Sequence, residues 1–255
     1  MKWLAVGCFA ILLGACSKSG KTEAGLSLFE KQNLIAWCIV PFDVKERSPE
    51  ERAAMLERLG LKRVAYDWRQ KHVPEFEQEI LAYKKHGLEY FAFWGEHPAA
   101  FALFEKYGLH PQIWKMLPSP KADTEEARVE EVARSLLPLV EQTAAMGCKL
   151  GIYNHGGWQG EPDNMIAIVE WLRKNHGADH VGIIYNLHHG HEQIQHFAEN
   201  LKKMMPYLLC LNIDGVNASG EPMILPVGQG DTDKAWIQTI VESGYRGPIG
   251  ILGHV

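Results

Sequence analysis

AMGCKLGIYNHGGW, residues 145–158, holds in order the end of a helical pattern, a glycine, an apolar run and a polar loop. Met146-Gly147-Cys148 reads as a helix stop, because glycine accepts the left-handed backbone just past a helix end. Leu150 to Tyr153 then reads as a strand, and Asn154-His155-Gly156-Gly157-Trp158 as the loop that leaves it. The same punctuation recurs at Leu59-Gly60-Leu61, His86-Gly87-Leu88, Tyr107-Gly108-Leu109, His176-Gly177 and Ser243-Gly244-Tyr245. Each repeat predicts a helix stop feeding a strand.

Working outward, the apolar runs predict strands at 34–40, 63–66, 90–94, 112–116, 150–153, 181–185, 207–213 and 249–252. They are nearly continuous rather than alternating, which suits parallel strands covered on both faces. Helical patterns fill the gaps at 49–59, 74–86, 98–107, 124–146, 163–175, 192–204 and 231–243. Strand alternating with helix in this number predicts an α/β fold, a (β/α)8 TIM barrel. An open doubly wound sheet is the alternative. No GxGxxG follows the first strand, so the usual dinucleotide-binding version of that sheet is out. The sequence given stops at Gly253-His254-Val255, so the barrel is expected to lack its closing eighth helix.

The 255 residues suffice for one such domain, which needs roughly 250. A formal net charge of -5 offers no basic stripe for phosphates, so no nucleic-acid partner is expected. Residues 1–15 read as a signal peptide: a basic start at Lys2, an apolar run from Trp3 to Leu13, and Leu13-Gly14-Ala15-Cys16. That run is too short to span a bilayer. A small-residue site ending in cysteine resembles a bacterial lipoprotein signal, which implies lipidation at Cys16 and an exported, membrane-anchored protein. Residues 16–30 would be a tether and 31–255 the barrel. Cys38, Cys148 and Cys210 are widely spaced and odd in number, so buried free thiols are expected rather than a disulfide framework.

Active sites of such barrels form at the C-terminal strand ends. There the sequence places Asp67, Trp68 and Arg69 after the second strand, and Trp94, Glu96 and His97 at the third. The fifth strand is followed by Asn154, His155 and Trp158, and the sixth by Asn186, His188, His189 and His191. Asn212 and Asp214 belong to the seventh, Gln229 to the loop after it, and His254 to the eighth. Aromatic faces beside amides and imidazoles suit a sugar or polyol: rings cover its C–H surface and polar groups bond its hydroxyls. His155, His189, Glu96 and Asp67 are the acid–base candidates. Trp68, Trp94, Asn154, Trp158, Asn186, His188, Asn212, Gln229 and His254 are the candidate substrate contacts.

GIYNHGGW, GIIYNLHHGHE, LLCLNIDG and GYRGPIGILGH, in that order, resemble the xylose isomerase-like TIM-barrel family of sugar-phosphate isomerases and epimerases. The resemblance implies one divalent metal held by two glutamates, an aspartate and a histidine from the later strands. Carried over, the first glutamate falls on Tyr153, the aspartate on Asn186, the strand-seven histidine near Asn212, and the last glutamate on Leu252 or the adjacent Gly253-His254. The histidine three residues beyond Asn186 is His189. Hard cations want carboxylate oxygens, so a metal-free site is expected. A softer zinc site on His155, His188, His189 and His254 is the alternative. Function then divides between an isomerase- or epimerase-like enzyme and a non-catalytic carbohydrate-binding lipoprotein; a histidine–zinc hydrolase ranks third.

Overall fold

In the computed structural model the described residues are 27–221 and 224–252. The signal-like residues 1–15, Cys16 and His254 lie outside them. The strands are β1 (Leu34–Trp37), β2 (Arg63–Tyr66), β3 (Glu89–Trp94), β4 (Gln112–Met116), β5 (Leu150–Tyr153), β6 (Val181–Asn186), β7 (Leu208–Ile213) and β8 (Ile249–Leu252). They form a closed barrel in sequence order. β1 pairs with β8 in parallel, from Leu34 against Ile249 to Trp37 against Leu252, which rules out the open sheet.

Between the strands run α1 (Pro49–Leu59), α2 (Phe76–Lys85), α3 (Pro98–Tyr107), α4 (Glu125–Ala145), α5 (Pro162–His176), α6 (Phe197–Met204) and α7 (Asp233–Ser243). Among the described residues no helix follows β8. The α1 boundary shows why the segments start and stop where they do. Ser48 and Glu51 form a reciprocal capping box, Pro49 opens the helix, and Gly60 closes it at φ 76°. The glycine stops at 87, 108, 147, 177 and 244 also have positive φ.

Three expectations shift. β1 ends at Trp37 rather than Val40, because Cys38 turns into the left-handed region at φ 60° and breaks the ladder. The helix expected from Pro74 starts at Phe76, after a 3-10 segment over Gln70–Glu75. The helix expected from Glu192 starts at Phe197, after a 3-10 segment over His188–His196. Gly190 of that segment lies against the Tyr185 hydroxyl, where a Cβ would come within 2.0 Å. The packed chain also reaches back to Leu28, which is 3% exposed.

The core has two parts. One lies between strands and helices and takes most of the aliphatic side chains. The other fills the barrel with Ile35, Trp37, Ala65, Phe91, Ala92, Trp114, Tyr153, Ile184 and Cys210. Burying each large apolar side chain stabilises by roughly 1.5–3 kcal/mol. Strand glycines make room for the bulk. A Cβ on Gly151 would lie 2.4 Å from Ile184 Cγ1, and one on Gly250 would lie 1.9 Å from Asn212 Oδ1.

Candidate active site

A cavity of about 360 Å³ opens at the C-terminal ends of the strands. That is the small end of ligand pockets, roughly 300–1,000 Å³. Its floor is aromatic. Trp37 packs edge-on against Trp114 with ring centroids 4.9 Å apart, and Trp94 meets Tyr153 edge-on at 4.6 Å. The wall above carries Asp67, Arg69, His155, Asn186, His188 and His189, with Cys38, Met116 and Leu252 between them. A larger cleft of about 540 Å³ lies against α3 and α4 on the outside, with Phe101, Leu109 and Met146 in its lining. Gly108, Leu109 and His110 place it beside the N-terminal end of β4, the opposite end from the cavity.

Asp67 is the most unusual group on the wall. It follows β2, is 2% exposed, and accepts the Val40 amide, at 3.4 Å, on Oδ1. Among the described residues its Oδ2 has no hydrogen-bond partner. Burial pushes this carboxyl up to about 7, with the Val40 amide and Arg69 pulling the other way. Cys38 lies beside it, and burial together with the Asp67 charge pushes the thiol far up, so it stays protonated. Arg69 donates to the Trp68 carbonyl at 2.8 Å and sits over the Phe42 ring.

The three described histidines of the wall lie tilted against one another. His155 and His189 have ring centroids 4.1 Å apart, and His188 and His189 4.5 Å. His155 is exposed, and the other two are half-buried. Beneath them runs an amide network. Asn186 donates its Nδ2 to Tyr153 Oη, and its Oδ1 accepts the His188 amide at 3.1 Å. Trp37 Nε1 donates to the same tyrosine oxygen at 3.2 Å. Asn212 Nδ2 is buried beside that oxygen without a bond of good geometry.

These positions decide whether the metal implied by the resemblance fits. Asn186 and Asn212 turn N–H donors toward the Tyr153 oxygen where a hard cation needs several free carboxylate lone pairs. Leu252, at the last position, has no ligating atom. Among the described residues no three His, Cys, Asp or Glu side chains converge to hold a metal. The residues do not fit the group, and that includes the zinc alternative on the described histidines.

Other sequence candidates stand elsewhere. Glu96 is exposed and pairs with Lys115 at 2.7 Å. Trp68 points out of the barrel: it stacks with Phe93 at 5.9 Å and donates to the Trp94 carbonyl at 2.7 Å. Asn154 is fully buried and braces β5 to β6, accepting the Asn186 amide at 2.6 Å and donating to its carbonyl at 3.0 Å. Trp158 donates to Glu125 at 2.6 Å on the outside. Gln229 is exposed in the loop after β7. None of these five lines the cavity.

Strand parity explains the sorting. Successive side chains alternate between barrel interior and helix layer, so Asp67 and Tyr153 point in while Trp68 and Asn154 point out. The same parity was the available signal for Tyr153, Trp37 and Met116, which sequence reasoning left out of the substrate set. Cys38 gave no signal, since its left-handed turn has no residue signature. Asp214, after β7, also escaped the candidate set. Among the described residues its two buried oxygens make no hydrogen bond of good geometry, and burial plus the neighbouring Asp233 charge push it up to about 7, with the His188 amide pulling the other way.

No family model matches the chain, and no curated protein matches it. Solved structures do. A 3-keto-D-glucoside 4-epimerase from E. coli superposes with a TM-score of 0.65 at 16% identity, over 88% of this chain and 93% of that one. A xylose isomerase domain protein from Planctomyces limnophilus gives 0.60 at 14%, over 87% and 90%. A probable 3-DHS dehydratase involved in petrobactin synthesis from Bacillus anthracis gives 0.68 at 10%, over 87% and 92%. At such identities the likeness shows the fold alone, a TIM barrel. Function has to be argued from the site.

Proposed function

We propose that the barrel is a sugar isomerase- or epimerase-like enzyme that moves a proton beside the carbonyl of a small sugar or polyol-derived ketone without a resident metal. One observation carries the reading: Asp67, a buried carboxyl with an unpartnered oxygen on the cavity wall, held near 7. A general base works best when its pKa lies near the working pH. Sugar-modifying neighbours of the same fold support the substrate class. The aromatic floor suits the C–H face of a sugar, and the histidines and Arg69 suit its hydroxyls.

In this reading the Asp67 carboxylate takes the proton from the carbon next to the carbonyl. The C–H electron pair moves toward the carbonyl oxygen and gives an enediolate. Return of the proton to the opposite face of the same carbon gives the epimer; return to the neighbouring carbon gives the isomer. His155 and His189, side by side on the cavity wall, move the hydroxyl protons. Each of these residues supplies roughly 10²–10⁴-fold when it acts as general acid or base.

The test is deuterium uptake from D2O into a panel of ketoses and aldoses, followed by NMR. Wild type is expected to label one carbon of at least one sugar, and Asp67→Asn to label none. Equal labelling by both proteins sinks Asp67 as the base. Sugar binding by calorimetry with no labelling across the panel favours the second reading, a carbohydrate-binding protein. That reading draws on the replaced acidic positions at Tyr153, Asn186 and Leu252. Export and lipid anchoring at Cys16 belong to the same proposal, and metabolic labelling with palmitate, lost in Cys16→Ala, tests them.

A further inference from the structure

Tyr153 sits at the crossing of the barrel floor and the cavity wall, and its hydrogen bonds can be counted. A phenol oxygen accepts two bonds and donates one. Trp37 Nε1 is a donor only, so its 3.2 Å contact uses one acceptor position. Asn186 uses the other. Its orientation is fixed from behind, because its Oδ1 accepts the His188 amide and only its Nδ2 is left to face the tyrosine. Asn212 is oriented in the same way: its Oδ1 accepts the Cys210 thiol at 3.5 Å, so its Nδ2 is left beside the tyrosine oxygen with no partner of its own. Three N–H groups therefore surround one oxygen, and none of them can take its proton. Among the described residues no acceptor is found for that proton, yet Tyr153 lines the cavity.

We propose that the Tyr153 hydroxyl donates its hydrogen bond to a substrate carbonyl oxygen, as the centre of an oxyanion hole backed by Trp37, Asn186 and Asn212. The inference rests on the proton-transfer reading above and deepens it by naming the group that polarises the carbonyl. The ligand chemistry it selects is a ketone or aldehyde that becomes an enediolate. No proton leaves Tyr153: the carbon-bound proton goes to Asp67, the negative charge grows on the carbonyl oxygen, and the phenol bond to that oxygen shortens. Burial keeps the phenol proton in place at every physiological pH, so the group is always a donor. The backing N–H groups withdraw charge from the phenol oxygen and strengthen the donated bond. A preorganised donor of this kind acts where charge develops, which is where a metal acts in other sugar isomerases.

Two proteins, wild type and Tyr153→Phe, are titrated by calorimetry with threonohydroxamate, an enediolate mimic, and with threitol, which has no oxyanion. The expected result is an affinity for threonohydroxamate about tenfold or more weaker in Tyr153→Phe, with threitol binding unchanged. Equal threonohydroxamate affinity in the two proteins overturns the oxyanion hole. Sugar labelling by a wild type that binds no threonohydroxamate overturns it too, and leaves the proton-transfer reading standing. If wild type binds neither probe and labels no sugar, both are wrong. A second measurement holds if Tyr153→Phe does not fold. Dihydroxyacetone, labelled with carbon-13 at its carbonyl, is bound to wild type and its C=O stretch read by difference infrared. A shift to lower frequency on binding is expected, and an unshifted band overturns the proposal.

Discussion

Asp67 at the end of β2 and Glu79 on α2 are both carboxyls taken out of water, and they are treated in opposite ways. Glu79 is fully buried between α1 and α2, where Arg52 grips it with two bonds, Nε to Oε1 at 3.2 Å and Nη2 to Oε2 at 2.6 Å. Arg52 itself is 3% exposed and also donates to the Arg47 carbonyl. Asp67 has a long bond from the Val40 amide and, among the described residues, an oxygen with no partner. The helix layer spends its buried charge on a closed pair. The strand ends leave theirs open to the cavity. A bare buried carboxyl costs folding free energy, and the same lack of partners is what puts its proton affinity in the range of a useful base.

The largest expected difference is in rate. Asp67→Asn should cut deuterium uptake into sugar by roughly 10²–10⁴-fold while leaving the chain as stable or more stable. A fall in thermal stability with uptake retained would erase the contrast. Glu79→Ala should do the reverse. It leaves the buried Arg52 with only the more exposed Glu75 carboxylate, 3.5 Å away, and should cost about 3–5 kcal/mol in chemical denaturation, with uptake per folded molecule unchanged.

A pH series sharpens the same contrast. Folding raises the Asp67 pKa from 3.8 to about 7, so the neutral form is the one folding favours. Stability tied to this group is complete below about pH 4, is lost as the pH climbs through about 7, and has a ceiling of ~4 kcal/mol. Asp214, raised in the same direction, adds to the slope. Asp67→Asn should flatten that part of the slope, while sugar labelling in wild type should rise over the same interval as the carboxylate forms. A slope that the substitution leaves untouched puts the titrating group elsewhere.

Smaller effects mark the ends of the scale. Asn154→Ala removes the clamp between β5 and β6 and leaves a buried amide and carbonyl unpaired, for a loss of roughly 1–3 kcal/mol. Glu96→Ala breaks an exposed pair with Lys115 and should change stability and uptake by little, within about 0.5 kcal/mol.

What the sequence made legible follows the same division. The glycine stops and the continuous apolar runs are local signals, and they located strands and helices closely because each depends on a few neighbours. Which strand-end side chain turns inward depends on register around the whole barrel, so Trp68, Asn154 and Trp158 joined the candidate set although they face the helix layer. Glu96 joined it because a carboxylate beside a strand end looks catalytic until Lys115 is seen to neutralise it. Asp67, His155, His188, His189, Trp94 and Asn186 do meet at one cavity. That Asp67 Oδ2 finds no hydrogen-bond partner among the described residues could only be learned from three dimensions.

Gly250 gives these positions a shared inheritance. Any side chain at 250 would drive into the Asn212 amide, whose oxygen stands 1.9 Å from where a Cβ would be. The two residues can therefore drift only as a pair. Among descendants of this barrel, a larger residue at 250 would mark a lineage in which the amide at 212 has moved or gone. Sequencing alone could then sort chains that keep the donors behind Tyr153 from chains that have given them up.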